Sequence, residues 1–201
     1  MRDTKERILL TALQLFAQDG YEAVSVSRIA GELGMTKSAL YKHYPNKRGI
    51  FDSILARMEQ QDFDQAQAHQ VPEGPATEMA EAYRQTPLEN LIRFTLAQFR
   101  YWTEEPFSSA FRRMLTLEQY RNPEMAALYQ QYLAAGPVDY LTDLFQGITG
   151  QSAGARQLAL EFYGPVFLLY SVYDGAPDKE PVTALLQEHL DRFARRLNPA
   201  L

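Results

Sequence analysis

Residues 25–47 read SVSRIAGELGMTKSALYKHYPNK, and this stretch decides the fold of the first part of the chain. Ser25 and Thr36 each precede a short helical run, where a hydroxyl can cap the free N–H groups of a helix start. Gly34 favours the end of the first helix. Pro45 ends the second, because proline has no N–H and clashes with the preceding turn. The stretch therefore predicts two short helices joined by a tight turn, which is the helix-turn-helix arrangement.

The second of these helices, predicted from Lys37 to about Tyr44, has two different faces. Leu40 and Tyr44 give it an apolar side with which to dock on its neighbours. The opposite side carries short or cationic hydrogen-bond donors: Lys37, Ser38, Tyr41 and Lys42. Such a helix suits the major groove of DNA, about 12 Å wide, where its donors can reach phosphates and base edges. An ordinary surface helix with solvated lysines is the alternative, which the turn spacing and the charge pattern disfavour.

Charge is unevenly distributed along the chain. Lys and Arg number 20 against 25 Asp and Glu, and the net charge of −5 argues against a general nucleic-acid coat. Residues 1–60 nevertheless hold nine basic and seven acidic residues. Between residues 33 and 51 the charged side chains are Lys37, Lys42, Lys47 and Arg48, with no acid among them. The sequence thus predicts a local positive patch on an acidic chain.

The remainder of the chain is predicted to be helical. Apolar residues recur at three- and four-residue spacing, and no alternation is long enough for a sheet. Thr4 is the expected cap of the first helix, which Gly20 ends, and Asn46 is expected to cap a long fourth helix toward His69. The clearest break is at 71–75, and a short helix is predicted before residue 87. Later helices are predicted at 88–103, 107–118, 123–135, 137–146, 155–173 and 181–197.

Residues 7–51 resemble the DNA-binding domain of the TetR family of bacterial repressors. The shared features are Leu15-Phe16, Gly20-Tyr21, Ile29-Ala30, Gly34, Leu40-Tyr41 and His43-Tyr44-Pro45-Asn46-Lys47. Beyond these roughly 45 residues the chain is similar only in length and helical layout. The resemblance implies an all-α fold with a three-helix helix-turn-helix domain at 1–46. A helical bundle for ligand sensing and dimerisation is expected at 47–201.

The resemblance also implies roles for residues of the predicted DNA-binding domain. The expected phosphate contacts are Ser25, Thr36, Tyr41 and Lys47. The expected contacts to bases or the groove wall are Lys37, Ser38, Ala39, Lys42 and His43. Two residues depart from the family pattern. Ala39 offers only a methyl contact to thymine, and Gly49 stands in the first turn of the fourth helix, where its flexibility is expected to loosen the hinge to the sensing domain.

Two further sites are expected in the second part of the chain. The family places its ligand among helices that are rich in aromatic residues here, although core packing explains any single aromatic at least as well. The predicted ligand-binding residues are Phe99, Trp102, Phe111, Met114 and Glu118. The last two helices resemble the family's four-helix dimer interface, with His189 as an interface histidine rather than a metal ligand. The predicted interface residues are Phe162, Val166, Leu168, Leu169, Leu186, His189 and Phe193.

The expected function is a ligand-responsive regulator of transcription, acting as a homodimer on a pseudo-palindromic operator in double-stranded DNA. If a small-molecule inducer releases it from the operator, the regulator acts as a repressor. Activation of transcription is the open alternative. A protein-interaction module of the same fold is the alternative. An enzyme is not expected, since the histidines are scattered and no H-E-x-x-H or G-x-S-x-G motif occurs. No cofactor, metal or membrane partner is expected. The absence of cysteine and the charged N-terminus favour a cytoplasmic location.

Overall fold

A computed structural model describes residues 2–69 and 87–197, and all of its regular secondary structure is helical. Four helices precede the gap: α1 (Arg2–Asp19), α2 (Val26–Glu32), α3 (Lys37–Tyr41) and α4 (Lys47–His69). Six follow it: α5 (Leu88–Glu104), α6 (Pro106–Glu118), α7 (Pro123–Leu133), α8 (Ala135–Thr149), α9 (Ala155–Gly175) and α10 (Glu180–Leu197). The all-α prediction is confirmed. The break predicted at 71–75 and the short helix before residue 87 lie outside the described residues.

Several helix boundaries differ by a few residues from the sequence-based prediction. Helix α1 already begins at Arg2, so Thr4 lies inside it and is not its cap. Helix α3 ends at Tyr41, and the backbone continues in tight turns to Tyr44, whose N–H donates to the Leu40 carbonyl at 3.1 Å. Helix α8 begins at Ala135, although Gly136-Pro137 was expected to break the chain. Proline is tolerated in a first helical turn because its missing N–H has no partner there.

The described residues form two compact units, and the first is discontinuous in sequence. It contains residues 2–64 together with 105–129, so α6 and most of α7 belong with the N-terminal helices. Within this unit α1 packs against α6. The rings of Phe16, Tyr21 and Phe51 form a chain with centroid distances of 5.1 and 5.2 Å. The domain boundary predicted between residues 46 and 47 stays a prediction. The first compact unit contains residues on both sides of it.

The second unit contains the described residues of 65–104 and 130–197. Helix α9 packs against α5, α8 and α10. Its core is aromatic, with the rings of Phe145, Phe162 and Phe193 at centroid distances of 5.0 to 5.7 Å from one another. Removal of one such buried ring typically costs about 3–5 kcal/mol, so these side chains dominate the stability of the bundle.

Candidate nucleic-acid interface

The short helices α2 and α3 are both capped as predicted. The Ser25 hydroxyl accepts from the N–H of Arg28 at 3.2 Å, and the Thr36 hydroxyl accepts from that of Ala39 at 3.1 Å. Between the helices, Gly34 adopts a left-handed conformation with φ of +65°, and the Met35 N–H donates to the Ala30 carbonyl at 2.9 Å. Each capping oxygen still carries an O–H that can donate outward. The caps therefore form the helices and leave two hydroxyl donors exposed.

Helix α3 divides its side chains as the sequence predicts. Leu40 is completely buried, and Tyr44, just beyond the helix, is buried as well. The side chains left exposed are Lys37, Ser38, Tyr41 and Lys42, whereas Ala39 and His43 are half-buried. The Lys37 ammonium lies 5.6 Å from the ring centroid of Tyr41. The outer surface of α3 thus presents hydrogen-bond donors and positive charge.

Two buried tyrosines, Tyr21 and Tyr44, stabilise the position of α3 and of the turn that follows it. Burial raises the pKa of Tyr21 and of Tyr44, so both phenols remain protonated at neutral pH. The Tyr44 hydroxyl donates to the Lys5 carbonyl at 3.4 Å, and the Lys5 ammonium lies 5.1 Å from the Tyr44 ring centroid. The turn that follows α3 is therefore fastened to α1.

Helix α4 starts with two cations that are both engaged inside the first unit. The Lys47 ammonium donates to the Tyr21 carbonyl at 2.8 Å and lies 3.5 Å from that of Glu22. The Arg48 guanidinium binds both carboxylate oxygens of Glu124, at 2.7 and 2.8 Å, and Asp52 at 2.6 Å. The predicted cap is confirmed as well, because the Asn46 side chain accepts from the Gly49 N–H at 2.8 Å.

Gly49 is closely packed. A β-carbon there would lie 3.2 Å from Cδ of Pro45, so the glycine allows the start of α4 to fold back tightly on the end of the helix-turn-helix segment. This geometry does not support the expectation of a loosened hinge at this residue.

Glu118, whose assignment to a ligand site stays a prediction, contacts the turn after α1. It is completely buried in the first unit, and its carboxylate accepts from the Glu22 N–H at 3.5 Å. Gly20, with φ of +89°, leaves room for it, because a β-carbon there would lie 2.2 Å from the Glu118 carboxylate. Asn122 adds a bond of 2.9 Å from its side-chain amide to the Glu22 carboxylate. Sequence patterns could not reveal these contacts, which join residues about a hundred positions apart.

The other four predicted ligand residues are buried, in two different units. Phe111 and Met114 lie in the first unit on α6. Phe99 and Trp102 lie in the second on α5, where Phe99 stacks on Tyr170 at a centroid distance of 5.3 Å and Trp102 lies 6.2 Å from Tyr132. Their assignment to a ligand site stays a prediction, and the contacts described are those of well-packed cores.

The predicted dimer residues fall on both sides of α9 but only on the inner side of α10. Five are buried within the single chain: Phe162, Val166, Leu169, Leu186 and Phe193. His189 is half-buried, with Nε2 2.9 Å from the Phe162 carbonyl, whereas Leu168 is 62% exposed. The predicted interface residues do not include four other exposed apolar side chains of these helices, which are Leu160, Phe167, Val172 and Leu185. We call these four and Leu168 the outer apolar face.

Within 2–69 and 87–197, no group of three or more His, Cys, Asp or Glu side chains is arranged to hold a metal ion. None of the helices in these same ranges is long and apolar enough to cross a membrane.

The paired caps, the left-handed turn and the donor-bearing helix define a helix-turn-helix protein. Residues 8–54 match the family model described as bacterial regulatory proteins, tetR family. Residues 8–54 therefore carry a DNA-binding segment of the TetR family type. It is similar to YerO of Bacillus subtilis, an uncharacterised HTH-type transcriptional regulator, with 40% identity over 50 residues. These residues cover 25% of this chain and span 17% of the length of YerO.

Solved structures share the fold over almost the whole chain. A protein of Saccharomonospora viridis, described as a transcriptional regulator and solved in complex with choline, has a TM-score of 0.66 at 22% identity and covers 98% of both chains. NalD of Pseudomonas aeruginosa, described as the secondary repressor of the MexAB-OprM multidrug efflux pump, has a TM-score of 0.54 at 21% identity and covers 96% of both chains. The similarity in sequence therefore covers the helix-turn-helix segment, whereas the similarity in fold covers almost the whole chain.

Proposed function

We propose that this protein is a ligand-responsive transcriptional repressor that binds a pseudo-palindromic operator as a homodimer. The observation that carries the proposal is the outer surface of α3. There Lys37, Tyr41 and Lys42 are exposed beside the capping hydroxyls of Ser25 and Thr36. Ser25, Thr36 and Tyr41 are suited to phosphates, because each retains an O–H donor. Lys37, Ser38, Ala39, Lys42 and His43 are assigned to bases or the groove wall. This role places the protein in the cytoplasm, with the DNA.

Operator binding is tested by a gel shift with duplexes selected from a random pool. We expect selected sequences with two inverted half-sites, whose centres lie about 34–36 Å apart, and an affinity that falls steeply between about 50 and 200 mM salt. Lys37→Gln and Ser38→Ala should change the preferred sequence. Thr36→Ala should weaken all sequences similarly. If no duplex is bound above the level of a random sequence, the protein-interaction alternative takes the place of this proposal.

The outer apolar face supports the homodimer. In α9 the inward residues Phe162, Val166 and Tyr173 and the outward residues Leu160 and Leu168 occupy opposite sides of one helix. An exposed apolar surface of this kind marks an interaction site in a soluble protein. A second copy of the chain is the occupant that a palindromic operator requires. Sedimentation at micromolar concentration should therefore give a dimer.

The aromatic core of the second unit supports binding of a small apolar or organic cationic inducer. The ring of Phe99 lies 5.3 Å from that of Tyr170 and 5.6 Å from that of Tyr173, between centroids, and aromatic faces attract quaternary ammonium groups. The Oε1 atom of Gln98 is buried and has no hydrogen-bond partner among the described residues. It is available to a polar group of a ligand.

Trp102 is the only tryptophan of the chain, so its fluorescence reports ligands directly. Choline is the first probe, because a neighbour in fold was solved with it. An inducer that shifts the Trp102 emission should lower operator affinity by about 5–150-fold, and operator DNA should weaken the inducer by the same factor. A compound that shifts the emission but leaves operator affinity unchanged is not an inducer.

A further inference from the structure

We infer that Lys47 serves DNA binding as a positioning residue that fixes the start of α4, and not as a phosphate contact. The inference rests on the proposed operator binding. It departs from the role that the family resemblance implies for this lysine.

The first argument is that the Lys47 ammonium is surrounded by acceptors of its own chain. It lies 2.8 Å from the Tyr21 carbonyl, 3.5 Å from the Glu22 carbonyl and 4.2 Å from the ring centroid of Tyr21. An ammonium group has three N–H bonds, and these neighbours match that number. Lys42, by contrast, is exposed on the surface that carries the other donors.

The second argument is electrostatic. A cation at a helix N-terminus opposes the helix dipole, and the first turn of α4 contains no acidic residue to offset it. Two backbone carbonyls and the electron-rich face of Tyr21 supply the compensating negative charge. In return, Lys47 donates to carbonyls of a turn that lies outside any helix, where backbone acceptors need partners.

The third argument concerns what Lys47 connects. The ring of Tyr21 packs between Phe16 of α1 and Phe51 of α4, so the lysine is fastened to the core of the first unit. Only five residues separate Lys47 from the end of α3 at Tyr41, and Pro45 is among them. Fixing the start of α4 on the turn after α1 therefore restricts the direction in which α3 leaves the core.

The test compares Lys47→Gln, Lys47→Arg and Lys42→Gln on a selected duplex of about 30 base pairs at several salt concentrations. Each phosphate contact contributes about 0.9 to the slope of log affinity against log salt. Lys42 is assigned to a base or the groove wall, where its charge still neutralises neighbouring phosphates, so we expect Lys42→Gln to reduce the slope of a dimer by up to about 1.8. Lys47→Gln should lower affinity by about tenfold with the wild-type slope. Lys47→Arg should show the same loss, since a planar guanidinium does not fit the place of a compact ammonium.

A reduced slope for Lys47→Gln, unchanged affinity of Lys47→Gln, or wild-type affinity of Lys47→Arg would each overturn the inference. Circular dichroism shows whether the variants fold. If Lys47→Gln does not fold, the ammonium NMR signals of the wild-type protein decide instead. The Lys47 signal should stay in place when DNA is added, whereas a shift as large as that of Lys42 overturns the inference. Failure of the wild-type protein to bind any duplex would instead count against the proposed function.

Discussion

The exposed surface of α3 and the outer apolar face of α9 and α10 are both formed by helices with one buried side, but they present opposite chemistry. Around α3 the apolar side chains are buried, and the lysines and hydroxyl groups are exposed. In α9 the apolar residues cover both sides, so that Phe162 and Val166 are buried while Leu160 and Leu168 are exposed. The first surface suits a polyanion, and the second suits another apolar surface.

The difference teaches that burial within one chain, rather than apolar character, separates structural from intermolecular residues in this protein. A charge introduced on the inner side of the α9–α10 pair should destroy the fold. The same charge on the outer side should destroy only association. Substitutions on the exposed surface of α3 should instead change how the two α3 helices of a dimer fit the DNA.

The largest effect is expected for Phe193→Asp. Phe193 is 3% exposed and lies 5.0 Å from the ring of Phe162, so the carboxylate would replace a core ring without a partner. Loss of the ring alone costs about 3–5 kcal/mol, and an unpaired buried charge adds to this. We expect the second unit to lose its cooperative thermal transition, measured by circular dichroism. A variant with a wild-type melting curve would show that this side chain is not part of the core.

Leu168→Asp should separate dimerisation from folding. This side chain is 62% exposed, so a carboxylate there remains solvated in a single chain and opposes only a partner's apolar surface. The variant should keep its helical spectrum, sediment as a monomer and lose tight operator binding. Leu10→Asp on α1, another exposed apolar position, is the matched control and should remain dimeric. If Leu168→Asp remains a dimer, the interface lies on another surface of the chain.

Gly20→Ala should destabilise the first unit more than Gly34→Ala. Both glycines have positive φ, but only at Gly20 does a β-carbon collide with another group, the buried Glu118 carboxylate. We expect losses of about 3 kcal/mol at Gly20 and about 1 kcal/mol at Gly34 in the free energy of unfolding, measured with urea. Equal losses would show that Glu118 yields without cost.

The smallest effect is expected for Thr36→Ala. Loss of this cap removes one bond to the Ala39 N–H and should lower stability by about 1 kcal/mol. Operator affinity should fall as well, because the same hydroxyl is assigned to a phosphate. Thr36→Ser is the matched control, since it keeps both the cap and the donor. Operator affinity that stays unchanged in Thr36→Ala would exclude the phosphate contact.

Local features were predictable from the sequence. The caps at Ser25, Thr36 and Asn46 depend on residues at most three positions away, and the structure has each of them. The end of α3 and the start of α8 each differ from the prediction by a few residues. At α8 the reason is that proline is tolerated in the first turn of a helix but not within it. The periodicity also predicted that there is no sheet, and residues 2–69 and 87–197 contain none.

The long-range features were not predictable. Glu118, a predicted ligand residue, accepts from the Glu22 N–H, and no local sequence pattern relates these two residues. In α9, apolar residues surround the helix, so the sequence could not show which side is inward. The predicted interface therefore includes both Phe162, which is buried within the single chain, and Leu168, which is exposed, and the interface itself stays a prediction.

The discontinuity of the first unit has a consequence for how the protein is made. A ribosome releases the N-terminal helices α1 to α4 well before α6, against which α1 packs. At about 5–20 residues per second, synthesis from residue 64 to residue 129 takes roughly 3–13 s. During that time the buried side of α1 lacks its covering helix, and the nascent chain exposes it to chaperones. Chimeras that exchange only residues 1–46 between relatives would pack α1 against the α6 of another protein, unless α6 is exchanged with them.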